Sequence, residues 1–179
     1  MGTLSVKPVT EATWADLEAL FEGKGGPSYC WCMPFRAMDN RSTASNADRK
    51  AALRSRVEAG VPIGLVGYVD GEPVAWCSLA PRESFVKLAD KQDAAEQHVW
   101  SVTCFFVRRD HRKTGLSARM LDEALAYAKA RGAVALEGYP VAPNSPSYRF
   151  MGFLPLFEGR GFHETGRTGT RRHVMRKPL

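Results

Sequence analysis

The stretch that most constrains the fold of this chain is HVWSVTCFFVRRDHRKTGLSARMLDEALAYAKARGAVALEGYPV, residues 98–141. It opens with a run of β-formers that has few polar breaks (98–107), as expected of a central strand covered on both faces. A short basic segment with one glycine follows. Ser117, Leu121, Ala124, Leu125 and Ala128 then fall on one side of a helix that Gly132 closes. VALEGYPV (134–141) reads as a second buried strand. A strand, a crossover helix and a second strand side by side require a parallel pair.

The segments before this unit read as an antiparallel start. LSVKPV (4–9) is a strand. Thr10 caps a helix over residues 11–22, with Trp14, Leu17 and Phe21 on one face. A glycine-rich hinge (23–28) leads to the aromatic and sulfur-rich loop YCWCMPFRA and the polar RSTASN (41–46). A basic helix over 48–59 ends at Gly60. Residues 63–80 form a hairpin about Asp70-Gly71. Residues 82–97 are charged and irregular, and the tail reads as a last hairpin. The expected class is α/β: a mixed sheet with helices on both faces, in one domain spanning 1–179.

The loop at 108–119 carries five Arg or Lys in twelve positions and lies between a strand end and a helix start. Helix N-termini present unpaired N–H groups and the positive end of the dipole, so this is an anion site. Gly115 lets backbone approach a ligand, Ser117 is small, and Arg112 can fork onto phosphate oxygens. Net charge, +6, leaves both a nucleic acid and a small anion open. A handful of charge-assisted hydrogen bonds at ~1.5–3 kcal/mol each suffices for one pyrophosphate. A duplex binder spreads ~6–10 phosphate contacts over a face. No helix-turn-helix or zinc-finger pattern accompanies the loop, so the small anion is favoured and nucleic acid is not expected.

The R-x-x-G-x-S of Arg112, Gly115 and Ser117, inside this strand–loop–helix–strand order, resembles the acyl-CoA pyrophosphate loop of GCN5-related N-acetyltransferases (GNAT). The usual pattern ends in Gly or Ala where this chain has Ser. The resemblance implies the GNAT fold and transfer of an acetyl group from acetyl-CoA to an amine of a small molecule or protein. It assigns the pyrophosphate to Arg112, Lys113, Thr114, Gly115, Leu116, Ser117 and Ala118. It assigns the pantetheine arm to backbone groups of Phe106 and Val107, where the fourth and fifth strands part, and brings Asn144 to the cofactor from the far side. Two other readings of the same fold are a tRNA-linked protein, suggested by the basic helix, and a CoA-binding regulator without turnover.

The family often uses a tyrosine four residues before a Gly-Phe as proton donor. Two registers exist: Tyr148 before Gly152-Phe153, and Phe157 before Gly161-Phe162. The second leaves a final hairpin of normal length and is preferred, which puts phenylalanine at the donor position and leaves Tyr148 as the candidate acid. Glu137, a carboxylate in an otherwise apolar strand, is the candidate base, because burial raises a carboxylate's pKa toward useful values. The alternative for Glu137 is a structural carboxylate bonded to an arginine. Trp31 and Cys32, in the loop where the family builds its substrate wall, with Trp76 and Trp100 on neighbouring strands, are the expected acceptor pocket. The alternative for that loop is a plug that fills the core.

The four cysteines follow no zinc spacing, so no metal is expected. No apolar run approaches the ~20 residues that span a bilayer. With no apolar leader-like segment at the start, a cytoplasmic protein is expected. A homodimer is left open.

Overall fold

The computed structural model describes residues 2–86, 88 and 98–179. Residues 87 and 89–97, most of the segment read above as charged and irregular, lie outside the described residues. The elements are β1 (Leu4–Pro8), α1 (Trp14–Glu22), α2 (Asn46–Glu58), β2 (Gly64–Val69), β3 (Glu72–Pro81), β4 (Val99–Val107), α3 (Leu116–Ala130), β5 (Ala135–Gly138), α4 (Leu154–Glu158), β6 (His163–Thr168) and β7 (Arg172–Pro178). They form one seven-stranded sheet in the order β1-β2-β3-β4-β5-β7-β6. Pairing is antiparallel except between β4 and β5, which are parallel as the crossover requires.

Local chemistry sets the boundaries. The first helix begins at Trp14, later than Thr10 suggests, because the Thr13 hydroxyl accepts from the Thr10 N–H at 2.9 Å and donates to the Pro8 carbonyl. That turn occupies the residues expected as the first helical turn. The second helix has a full capping box. Ser45 Oγ accepts from Asp48 N–H, and the Asp48 carboxylate accepts from Ser45 N–H. In α3, Leu116, Met120, Leu121, Ala124 and Ala128 make the buried stripe. The α4 helix is only five residues long. Pro155 is tolerated in its first turn, and Arg160 ties its end to α3 through Asp122 at 2.7 Å. Gly161-Phe162 then leads into β6, so the fold displays the second of the two C-terminal registers.

Two cores cover the two faces of the sheet. Trp100, Val102, Leu121, Ala124 and Phe157 meet on the α3 side. Trp14, Phe21, Trp31, Leu53 and Trp76 meet on the α1–α2 side. A β-bulge decides which β4 residues face which core. Ser78 pairs with Cys104 and Leu79 with Val102, so Thr103 is the extra residue. Before it the even-numbered Trp100 and Val102 face α3. After it the odd-numbered Phe105 and Val107 do, while Cys104 and Phe106 turn to the α1–α2 side.

β4 is nine residues long and β5 four, and their pairing ends at Val102–Gly138. Beyond that point the two strands part. Gly138 is required at the fork, since a Cβ there would stand 2.1 Å from Phe157 Cε1. β5 is shorter than the expected 134–141 because the chain leaves the sheet after Gly138. Outside the sheet it makes an isolated parallel bridge, Val141 with Phe153, just before α4.

Candidate active site

The fork between β4 and β5 opens onto a cleft of about 660 Å³. Its near side is β4. Arg108 N–H donates to Val74 O, so by strand alternation the backbone groups of Phe106 bond to β3. Those of Phe105 and Val107 face the fork, and Val107 O accepts from Arg112 Nε at 3.0 Å. This corrects the expectation for Phe106, whose contribution to the cleft is its ring. Val107 and Phe105 are the residues whose backbone groups face the fork.

The floor of the cleft is the basic loop. A 3-10 turn over Arg109–His111 and a left-handed Lys113 (φ 62°) carry the chain round to Gly115 (φ 77°), which precedes α3. The N–H groups of Lys113, Thr114, Gly115, Leu116 and Ser117 have no acceptor among the described residues. They are the unpaired donors of a helix start, at the positive end of its dipole. A Cβ at Gly115 would meet nothing within 4 Å, so the space above this backbone is open. Arg112, Lys113, Ser117 and Leu116 line the cleft, and none of its described lining residues is acidic. Thr114 turns its hydroxyl back to His111 O, and Ala118 O accepts from Arg160. Unpaired N–H groups beside Arg112 and Lys113 have the chemistry to hold a multiply charged anion, and the donor set fits the pyrophosphate of an acyl-CoA. Arg108 is not part of it. Its guanidinium is spent on Glu72 at 3.1 Å and Asp110 at 2.8 Å, and it holds the Asp110 carboxyl far below the usual range.

The far wall differs from expectation. Asn144 is exposed and outside the cleft. Arg149 stands there instead. It bonds to the carbonyls of Pro143 and Ser145 at 3.1 Å and stacks on the Phe153 ring at 4.8 Å. An arginine inside an aromatic stretch was the available signal for it.

A second pocket of about 140 Å³ opens on the α1–α2 side of β4 and shares Phe105, Phe106 and Phe150 with the cleft. Cys30, Cys32, Thr103 and Cys104 are among its walls. Of the four residues expected here only Cys32 lines it. Trp31 and Trp76 lie beneath it in the core: Trp31 stacks on Trp14 at 5.9 Å, and Trp76 Nε1 donates to Cys32 Sγ at 3.0 Å. Trp100 is on the other face of the sheet against Tyr127, because the bulge at Thr103 reverses the alternation. The loop therefore acts partly as core plug and partly as wall. A hydrogen bond to Cys104, with burial, raises the Cys32 thiol well above the usual range. Hydrogen bonding to Cys32 and burial do the same to Cys30. Neither is a ready thiolate nucleophile.

Glu137 lies behind these pockets rather than in them. It is fully buried and accepts from Arg82 Nη1 at 3.1 Å and from Tyr139 OH at 3.2 Å, with Arg176 Nη1 at 3.6 Å. Burial, with the Glu137 charge, pushes the Tyr139 phenol upward. Tyr148 is at the rim, in a left-handed turn (φ 58°), with the Arg172 guanidinium 4.7 Å from its ring. It lines neither pocket.

A mixed sheet that parts between two parallel strands, beside a glycine-hinged anion cradle, is the framework of an acyltransferase that draws on a CoA thioester. The chain belongs to the Acetyltransferase (GNAT) family, whose sequence profile matches residues 28–153. Solved structures with the same fold include an acetyltransferase from Thermus thermophilus (20% identity, TM-score 0.61, all of both chains covered). Another is the ribosomal-protein-alanine N-acetyltransferase of Brucella melitensis (21%, TM-score 0.60, 98% of this chain and 99% of that one). A third is a Salmonella typhimurium protein whose structure holds its cofactor acetyl-CoA (18%, TM-score 0.60, 98% and 94%). No protein of curated function matches the chain in sequence. Among the described residues no helix is long and apolar enough to cross a membrane, and no cluster of His, Cys, Asp or Glu could hold a metal ion.

Proposed function

We propose that this enzyme moves an acetyl group from acetyl-CoA to a primary amine by direct attack of the amine on the thioester. The observation that carries this is the run of five N–H groups at residues 113–117 that have no acceptor among the described residues, beside a cleft whose described lining holds no acidic residue. Those groups, with Arg112 and Lys113, bind the pyrophosphate. The backbone of Phe105 and Val107 at the fork bonds to the amides of the pantetheine arm. Arg149, in the position expected of Asn144, closes the far side. The thioester supplies an activated acyl carbon, which meets the amine beside Phe105, Phe106 and Phe150, the residues that line both cavities. The Salmonella structure with acetyl-CoA supports the choice of donor.

Among the described residues no Asp, Glu or His lines the acceptor pocket. Glu137 is engaged with arginines and Tyr139, and Tyr148 sits at the rim. We assign neither a proton-transfer step: the amine binds in its neutral form, and water takes up and returns protons. Two of the cations on helix α2 are paired within the chain, Lys50 with Glu18 and Glu22 and Arg54 with Glu58, which weighs against the nucleic-acid reading.

The pH profile tests this. With an alkylamine of free pKa about 10, kcat/KM should rise about tenfold per pH unit until close to that pKa, following the neutral fraction. Thiol release from acetyl-CoA measures it. A plateau near pH 7 would reveal a base within the protein and contradict the assignment.

A further inference from the structure

The acceptor pocket adjoins two other cavities. At one end it shares Phe105, Phe106 and Phe150 with the acyl-CoA cleft. At the other it shares Tyr29, Cys30 and Pro34 with a further cavity of about 330 Å³, which Met33, Met38, Arg41 and Arg49 complete. That cavity and the acyl-CoA cleft have no lining residue in common. The middle of this path is apolar and about 140 Å³ in size. An apolar cavity of ~150 Å³ holds a benzene ring.

The outer end is cationic. Arg41 donates one nitrogen to the carbonyls of Met33 (2.8 Å) and Arg36 (3.0 Å), which fixes its guanidinium at the cavity wall. Arg49 is held in the same way by Tyr29 O and Asn46 Oδ1. Neither forms an ion pair among the described residues, and no carboxylate lines the cavity.

A second, independent feature has the same sign. Arg36 is buried behind the pocket wall without a carboxylate partner among the described residues. It bonds to Cys32 O (2.5 Å), Ile63 O (2.8 Å) and Ser78 Oγ (3.0 Å), and its Nε has no hydrogen-bond partner among the described residues. Ser78 Oγ in turn meets Thr103 Oγ1 at 2.8 Å, on the pocket wall. A buried cation wired to the pocket disfavours a cationic occupant and favours one with a negative end.

We propose that the acceptor is an extended amino acid: an amine at the acyl end, an apolar body of one ring in the middle, and an acid group on Arg41 and Arg49. This rests on the acetyl-transfer reading above and names the substrate class of the same site. Charge-assisted contact of a carboxylate with an arginine fork supplies the selection.

A matched set of ligands tests it. Benzylamine and 4-(aminomethyl)benzoate differ only in the acid group, and 4-methylbenzoate keeps ring and acid without the amine. In the wild type, kcat/KM for 4-(aminomethyl)benzoate should exceed that for benzylamine at least tenfold, and 4-methylbenzoate should compete with the amine. In the Arg41→Gln, Arg49→Gln double variant and in Arg49→Gln alone, that preference should fall toward one. A merely loosened fold would slow both amines and leave the ratio standing. Equal use of the two amines by the wild type overturns the proposal. So does 4-methylbenzoate binding the double variant as tightly as the wild type. Arginine-dependent binding of 4-methylbenzoate without transfer to either amine would support the acid subsite and sink the transfer reading, so the two failures are separable.

Discussion

Replacing Gly115 with Glu is expected to lower acetyl-CoA affinity by two to three orders of magnitude and to abolish activity at ordinary substrate concentrations. The glycine sits at φ 77°, before the first turn of α3, with open space where a side chain would begin. A glutamate there would push a carboxylate into the region of five backbone donors, and would repel a pyrophosphate placed on them. Losing two or three charge-assisted contacts at ~1.5–3 kcal/mol each accounts for the size of the effect. Gly115→Gln has the same shape and the same backbone strain without the charge. Titration calorimetry should show it about tenfold weaker than wild type, well short of the glutamate. Equal loss in the two variants would assign the effect to backbone strain and count against an anion cradle.

A second large effect is expected at Glu137, this time on stability. Its buried carboxylate is the negative centre between Arg82 and Arg176. Removing one member of a buried ion pair typically costs ~3–5 kcal/mol, because charge is left uncompensated. For a chain of this size Glu137→Gln should lower the melting temperature by roughly 6–12 °C, near the smaller cost. Turnover of the folded variant, assayed well below its melting point, should stay within about threefold of wild type. Loss of a true general base would cost ~10²–10⁴-fold. A variant that melts normally but has lost its activity would restore Glu137 to the chemistry.

Residues 98–141 were legible because three signals agree there: a strand pattern, a single glycine in a basic turn, and a helical stripe closed by Gly132. The hairpin at Asp70-Gly71 was legible for the same kind of reason. What the sequence hides depends on contacts between distant segments. Glu137 meets Arg82 and Arg176 only once the sheet has formed, and no local pattern distinguishes its ion pair from a catalytic carboxylate. Trp100 was misplaced because the bulge at Thr103 exchanges the faces of β4, and a bulge leaves no mark in an alternation of apolar residues. Trp31 and Trp76 are aromatic and near the pocket, but composition does not tell a wall from the core beneath it. Arg36, near the end of the same loop, is fully buried, and no local pattern marks a buried arginine. Arg149 replaces Asn144 because its own bonds to the turn 143–145 orient it toward the cleft.

The most direct measurement is thermal unfolding of the wild-type protein with and without acetyl-CoA, with free CoA and ATP in parallel. Ligand at about 100 times its dissociation constant stabilises a protein by ~2.7 kcal/mol. For this chain that is a rise of roughly 5–10 °C. The account predicts such a rise with acetyl-CoA and with CoA, and its loss in Gly115→Glu. An unchanged melting temperature with both thioester and free CoA at millimolar concentration would contradict it, since the cleft at the β4–β5 fork would then not be an acyl-CoA site.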